Sequence, residues 1–131
     1  MPTDPDLTTT YRAYLSALND RRFADLTRFV HDTLTYNDEL LTRAQYASMI
    51  EADTRAVPDL HFVPQLLLAD ADAVACRLWF TCTPTSTFFG CAPTGRQIAF
   101  AEHVFYRFTD GRIAQVLSLI DRTAIAAQLS G

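Results

Sequence analysis

The spacing of apolar residues changes near residue 60, and this change constrains the fold more than any other feature of the sequence. Before it, apolar side chains recur at helical intervals, as Tyr11, Tyr14, Leu15 and Leu18 do. After it, they follow the pattern of long strands separated by turns. The sequence predicts helices at 8–18, 23–29 and 42–55, strands at 34–37, 60–69, 73–83, 97–108 and 112–120, and a last helical turn or two at 125–129. Helices followed by a strand meander indicate an α+β fold, with three N-terminal helices packed on a curved antiparallel sheet.

Local signals place the ends of these elements. Thr42 and Gln45 form a capping-box pattern at the start of the third helix. Pro58 disfavours helical backbone at Val57 and so ends that helix. Pro64 marks its strand as an edge strand or a bulge, because proline has no N–H to donate. Helices against the concave face of a strongly curved sheet would leave a conical cavity.

The composition limits the classes of partner. With 131 residues, of which 49% are apolar, we expect a single domain spanning 1–131 with residues 1–6 loosely held. A net charge of −4 without a Lys/Arg cluster argues against nucleic acid and anionic membranes. No signal peptide and no apolar run of ~18 residues is found, so we expect a cytoplasmic protein. The three cysteines lack metal-ligand spacing and are interpreted as buried structural thiols.

Asp121 is the candidate catalytic residue, at the end of the last strand. Its neighbours Leu117, Leu119 and Ile120 are apolar, so the carboxyl group could lie in an apolar pocket. Burial raises the pKa of a carboxyl group, and a shift of roughly 3 units, or about 4 kcal/mol, would suit it to proton transfer near neutral pH. The alternative is that Asp121 caps the short helix that starts at Asp-Arg-Thr.

The turn at Asp110-Gly111 decides which side chain could assist Asp121. A two-residue turn pairs His103 with Ser118 and puts Glu102 on the face of Asp121. A three-residue turn with a glycine bulge moves the register by one, so that His103 joins Asp121. We favour the bulged turn and His103 as the partner; a surface or core histidine is the alternative.

Other side chains are candidates for contact with a substrate. Asn37 could donate a hydrogen bond to an enolate oxygen, or could simply form a turn before Asp38. Tyr14, Trp79 and Phe105 could line a pocket for a flat ligand, or be ordinary core. Arg77 could hold an anionic group or pair with a carboxylate, and Leu117 would lie beside the pocket.

The run PTGRQIAF…FYRFTDGRI…D…QL, between Pro93 and Leu129, resembles the SnoaL-like polyketide cyclases, or ester cyclases, of the NTF2-like superfamily. The resemblance is best over 74–129 and weaker over 11–58. It implies a cone-shaped fold and an enzyme without metal or cofactor. It also implies that Asp121 is the general acid/base of an intramolecular aldol ring closure on polyketide methyl esters. Two positions depart from the family pattern: Cys82-Thr83-Pro84 replaces a Gly-Thr-His motif, and Leu117 replaces a tryptophan.

These observations predict a cofactor-free cyclase acting on a small hydrophobic substrate that carries carbonyl groups. No phosphate-binding glycine loop or nucleophile elbow is present. An isomerase or epoxide hydrolase with the same pocket is the second hypothesis. The third is a non-catalytic ligand-binding or dimerisation module, whose cavity Trp79 and Phe105 would fill. A homodimer is expected, because an outer sheet face rich in Phe and Val would need covering.

Overall fold

The computed structural model describes residues 7–130, and the expectation of a loose segment at 1–6 lies outside them. In chain order the elements are α1 (Leu7–Asn19), a 3₁₀ helix (Phe23–Arg28), β1 (Val30–Tyr36), β2 (Glu39–Thr42), α2 (Arg43–Ala56), β3 (Val63–Ala69), β4 (Ala73–Cys82), β5 (Ile98–Thr109), β6 (Arg112–Ile120) and α3 (Arg122–Leu129). The α+β class is confirmed. The second predicted helix is a single 3₁₀ segment, and the last helical turns form α3.

The six strands form one curved sheet in the order β2-β1-β6-β5-β4-β3. The sheet is mixed, because β1 runs parallel to β6 while every other neighbouring pair is antiparallel. The prediction of a wholly antiparallel sheet was therefore wrong at this pair. Strand β2 was not predicted at all; it pairs with β1 through a two-residue turn at Asn37 and Asp38, both with positive φ.

The helices cover one face of the sheet, and the core lies between the helices and this face. In α1, Tyr11, Tyr14 and Leu18 are almost fully buried, as their helical spacing predicts. At the start of α2, Thr42 Oγ1 accepts from the Gln45 N–H and Gln45 Oε1 accepts from the Thr42 N–H, so the predicted capping box is confirmed. Alternate residues of β4 are buried, which identifies the inner face of the sheet.

The hairpin between β5 and β6 has a register that neither sequence alternative anticipated. Thr109 pairs with Arg112 across a two-residue turn in which Asp110 and Gly111 have φ values of 51° and 78°, a geometry that glycine and aspartate favour. A bulge then shifts the pairing between Phe108 and Arg107. The favoured three-residue turn was therefore wrong, and the extra residue lies within β6.

Two further predictions concern the edge of the sheet and the cysteines. Strand β3 is an edge strand, and its pairing with β4 shifts between Pro64 and Leu66, as expected for a proline. Cys76 and Cys82 are buried and Cys91 is half-buried, all as free thiols. Within residues 7–130, none of the helices is both long and apolar enough to cross a membrane.

Candidate active site

An aromatic cavity lies between the helices and the inner face of the sheet. Its volume is about 60 Å³, below the 300–1,000 Å³ typical of ligand pockets. It adjoins an open pocket of about 510 Å³, the mouth, and both are lined by Tyr36, Met49, Asp53, Phe89 and Ile120. The interior can hold the reacting end of a ligand, and the mouth has room for the remainder.

Two carboxyl groups line the cavity. Glu102 lies on the inner face of β5, and burial raises its pKa, which the charge of Asp53 raises further while a hydrogen bond from Ser118 lowers it. Asp53 lies on α2, at the junction of cavity and mouth, and burial raises its pKa from 3.8 to about 6. Carboxyl groups with raised pKa values in an apolar cavity are suited to proton transfer near neutral pH.

A chain of two hydrogen-bonded residues positions the Glu102 side chain. Ser118, on the inner face of β6, donates its hydroxyl to Glu102 Oε2 at 2.5 Å. The backbone of Ser118 is held in turn by Asn37, whose Oδ1 accepts from the Ser118 N–H at 2.8 Å and whose Nδ2 donates to the Ser118 carbonyl at 3.2 Å. Asn37 thus forms a turn, the alternative given for it from the sequence, and ties the β1–β2 hairpin to β6, whose Ser118 binds Glu102.

Tyrosine hydroxyls form the other polar part of the cavity. Tyr14 is 1% exposed, and its hydroxyl lies 2.6 Å from that of Tyr46. Tyr106 also lines the cavity, and its hydroxyl accepts from Tyr11, which lies behind the lining, at 3.4 Å. Burial raises the pKa of all four phenols, so they remain protonated hydrogen-bond donors at neutral pH. Tyr14 lines the cavity, and its contact with a substrate stays a prediction.

Asp121 lies at the mouth and not in the interior. Its side chain is exposed, and Oδ1 accepts the backbone N–H of Ala124 at 3.0 Å as the N-cap of α3. The apolar burial expected for Asp121 is thus not found, because its carboxylate caps α3 at the surface. Beside it, the guanidinium of Arg122 lies 4.9 Å from the centre of the Phe89 ring. The catalytic role of Asp121 stays a prediction.

Five predicted site residues lie on the outer face of the sheet, away from the cavity. His103 pairs with Leu119 and not with Ser118 or Leu117, so it shares the face of Leu117 as we favoured, but this face is the exposed one. Arg77 Nη1 lies 2.6 Å from His103 Nε2, and its guanidinium lies 5.7 Å from the centre of the Trp79 ring. The remaining two of the five, Phe105 and Leu117, are exposed. We predicted that these five residues lie beside the pocket, and the structure places them on the opposite face of the sheet instead.

Asp53 was missed from the sequence, and Glu102 was kept only as the alternative to His103. Asp53 follows Ile50 by three residues and Met49 by four, the spacing of one helix face, and this was the available signal. As for metals, residues 7–130 contain no group of three or more His, Cys, Asp or Glu side chains that could hold an ion.

Comparisons with known proteins agree on the fold and the family. The family model of SnoaL-like polyketide cyclases matches residues 8–129. A SnoaL-like polyketide cyclase from Agrobacterium tumefaciens is 38% identical, with 97% of this chain and 100% of that chain covered and a TM-score of 0.92.

More distant structures share the fold alone. TsrD from Streptomyces laurentii is 18% identical, with 98% of each chain covered and a TM-score of 0.87. IdmH from Streptomyces antibioticus is 20% identical, with 95% of this chain and 99% of that chain covered and a TM-score of 0.84. No curated protein matches significantly. The family model and the Agrobacterium structure together show that this chain belongs to the SnoaL-like polyketide cyclase family.

Proposed function

We propose that the protein is a cofactor-free cyclase that closes a ring by an intramolecular aldol reaction, with Glu102 as the acid/base. The substrate is a polyketide-type molecule with an acidic C–H bond next to carbonyl groups. The observation that carries the proposal is the Glu102 carboxyl group, which lines an aromatic cavity and has a pKa raised by burial. Such a group supplies both requirements of proton abstraction from carbon, a base of suitable pKa and a site of low polarity.

The surroundings of Glu102 suit this chemistry. Ser118 holds Oε2, and within residues 7–130 none donates a hydrogen bond to Oε1, which is free to accept the proton from carbon. The paired hydroxyls of Tyr14 and Tyr46 carry two protons, of which their mutual hydrogen bond uses one. The second proton is available for the oxygen of the enolate, where a fixed donor stabilises the developing charge.

The two volumes define how a substrate would bind. The narrow interior accepts the end that bears the reacting carbonyls, and the mouth accepts the rest of the molecule. At the mouth, Arg122 and the amide of Asn37 can contact polar substituents. Asp121 lies at the same mouth, where it caps α3, and the proposal gives it no part in the chemistry.

Replacing each acid in turn separates the two assignments. We expect Glu102→Gln to lower the rate of ring closure by about 100-fold or more, the usual contribution of a general base. Asp121→Asn should leave both the rate and the stability nearly unchanged, since asparagine caps helices as well as aspartate does. Ring closure is measured on a panel of aromatic polyketide methyl esters, and because the product is an isomer of the substrate, it is detected by chromatographic retention.

Two results would overturn the proposal. Wild-type turnover by a folded Glu102→Gln variant would remove Glu102 from the chemistry. A large loss of turnover in Asp121→Asn, with an unchanged melting temperature, would return the acid/base role to Asp121.

We further propose that the protein is a homodimer that covers the outer face of the sheet. Leu68, Ala75, Phe105 and Leu117 lie side by side across four neighbouring strands. Leu68 and Phe105 are 61% and 58% exposed. A contiguous apolar row of this kind is typical of a protein interface. The exposed large apolar side chains of this face are Val63, Phe105 and four leucines, Leu66, Leu68, Leu117 and Leu119, so leucine predominates over the Phe and Val expected from the sequence.

A further inference from the structure

We propose, building on the cyclase function above, that Asp53 is a second catalytic residue, which donates a proton to the substrate oxygen while Glu102 removes the proton from carbon. Its place in the fold supports this role. Asp53 lies on the last turns of α2 and lines both the interior cavity and the mouth, so a ligand that passes from one to the other passes its carboxyl group. The other acid of this helix end, Glu51, pairs with Arg55 and lies outside the cavity.

The elements around Asp53 leave its charge uncompensated. Tyr36 faces it from β1 and Glu102 from β5, while the start of α3 contributes Asp121 and Arg122 to the mouth. Among residues 7–130, none donates a hydrogen bond to the Asp53 carboxylate, and Arg122 lies over the Phe89 ring. A half-buried carboxylate without a cationic partner holds a proton more readily than a solvated one.

Asp53 and Glu102 interact as a pair. The charge on Asp53 contributes to the raised pKa of Glu102. Two carboxyl groups in one apolar cavity are most stable with a single proton between them, because two negative charges repel each other at low polarity. One group is then an acid and the other a base at the same pH, and ring closure uses the form in which Glu102 is ionised and Asp53 carries the proton.

The proton balance of the reaction uses one group at each end of the new bond. Glu102 takes the proton from carbon, and the electron pair of the C–H bond forms the new C–C bond to the second carbonyl carbon. The electron pair of that C=O bond moves to oxygen, which takes the proton of Asp53. The product is an isomer of the substrate, and transfer of one proton from Glu102 to Asp53 restores the starting state.

A titration without substrate tests the pairing. The side-chain carboxyl carbons are labelled with ¹³C, and the pKa of Glu102 is followed by NMR in the wild type, in Asp53→Asn and in Glu51→Gln. We expect a lower pKa of Glu102 in Asp53→Asn and no change in Glu51→Gln. An unchanged pKa of Glu102 in Asp53→Asn would show that the two groups do not interact, and would overturn the proposal.

The pH dependence of kcat/KM tests the chemical role. The wild type should give a bell-shaped profile whose two apparent pKa values belong to the pair. Asp53→Asn should lower kcat/KM by about 100-fold and remove the alkaline limb, whereas Asp53→Glu should keep that limb. A folded Asp53→Asn variant with the wild-type profile would refute the role of Asp53 while Glu102→Gln remains inactive. Full activity of Glu102→Gln would instead refute the proposed function itself.

Discussion

Replacing Asp53 with asparagine should stabilise the protein, and by an amount that grows with pH. The folded-state pKa of Asp53 is raised by burial, so the folded state prefers the protonated group more than the unfolded state does. That preference stabilises the wild type fully below the unfolded pKa and is lost as pH rises through the folded value. Asparagine stays neutral at every pH, so the variant does not lose stability at this position as the pH rises, whereas the wild type does.

The size of the effect follows from the pKa shift. Raising the pKa from 3.8 to about 6 corresponds to about 3 kcal/mol at neutral pH. Because the side chain is only half-buried, solvent screening reduces the expected difference to about 1–2 kcal/mol. The difference should be small at pH 4, increase between about pH 4 and 6, and be constant above that range. The substitution also removes the repulsion between the charges of Asp53 and Glu102, which further stabilises the variant relative to the wild type at high pH.

Urea denaturation of wild type and variant at several pH values from 4 to 8 measures this difference. Titration of the carboxyl groups other than Glu102 is common to both proteins and cancels when their unfolding free energies are subtracted, while the change at Glu102 adds to the difference. Glu51→Gln is the matched control on the same helix, and it should show no such increase with pH, because Glu51 lies by Arg55 and outside the cavity. A difference between Asp53→Asn and wild type that is independent of pH, or that falls as pH rises, would refute the burial argument.

Two further predictions concern the support of Glu102 and the outer face. Ser118→Ala should raise the pKa of Glu102, because it removes the hydroxyl that donates to the carboxylate. It should lower the free energy of unfolding by about 1.5–3 kcal/mol at pH 8 but by little at pH 4, where the carboxyl group is protonated. A loss of stability that is equal at both pH values would contradict this prediction. Leu68→Glu combined with Phe105→Glu should convert a dimer to a monomer in sedimentation velocity, whereas Leu40→Glu, which replaces an equally exposed leucine on β2, should not. A wild type that sediments as a monomer would remove the dimer proposal.

The parts of the fold that depend on local chemistry could be predicted from the sequence. The capping box at Thr42, the end of α2 at Val57 and the edge position of Pro64 each follow from the backbone chemistry of one or two residues. Strand β2 could not be predicted in this way, since its four residues are mostly exposed and carry no alternation. The parallel pairing of β1 with β6 joins segments far apart in sequence, and no local signal specifies it.

The site was harder to predict because side chains alternate along a strand. On β5, Glu102 and His103 are neighbours on opposite faces, and the sequence does not state which face is inward. A two-residue turn and a bulge in β6 together place His103 and Leu117 on the same face of the sheet, as we favoured. The helices cover the face of Glu102, and the alternation of side chains along the strand does not specify which face they cover. A correct pairing parity therefore grouped His103 with Asp121 on the exposed face and left Glu102, on the inner face, as the alternative.

Asp53 shows why a site of this kind needs tertiary structure to be recognised. Its neighbours in sequence are polar or small, and only its helical spacing from Met49 and Ile50 sets it apart from Glu51, two residues earlier. Glu51 pairs with Arg55 within the helix and outside the cavity, whereas packing of α2 on the sheet places Asp53 in the cavity with Glu102. The acidity of the cavity is thus a property of two elements brought together, a helix and a strand about 50 residues apart in the chain. If so, replacing either carboxyl group must change the titration of the other, which a site built on a single strand end would not require.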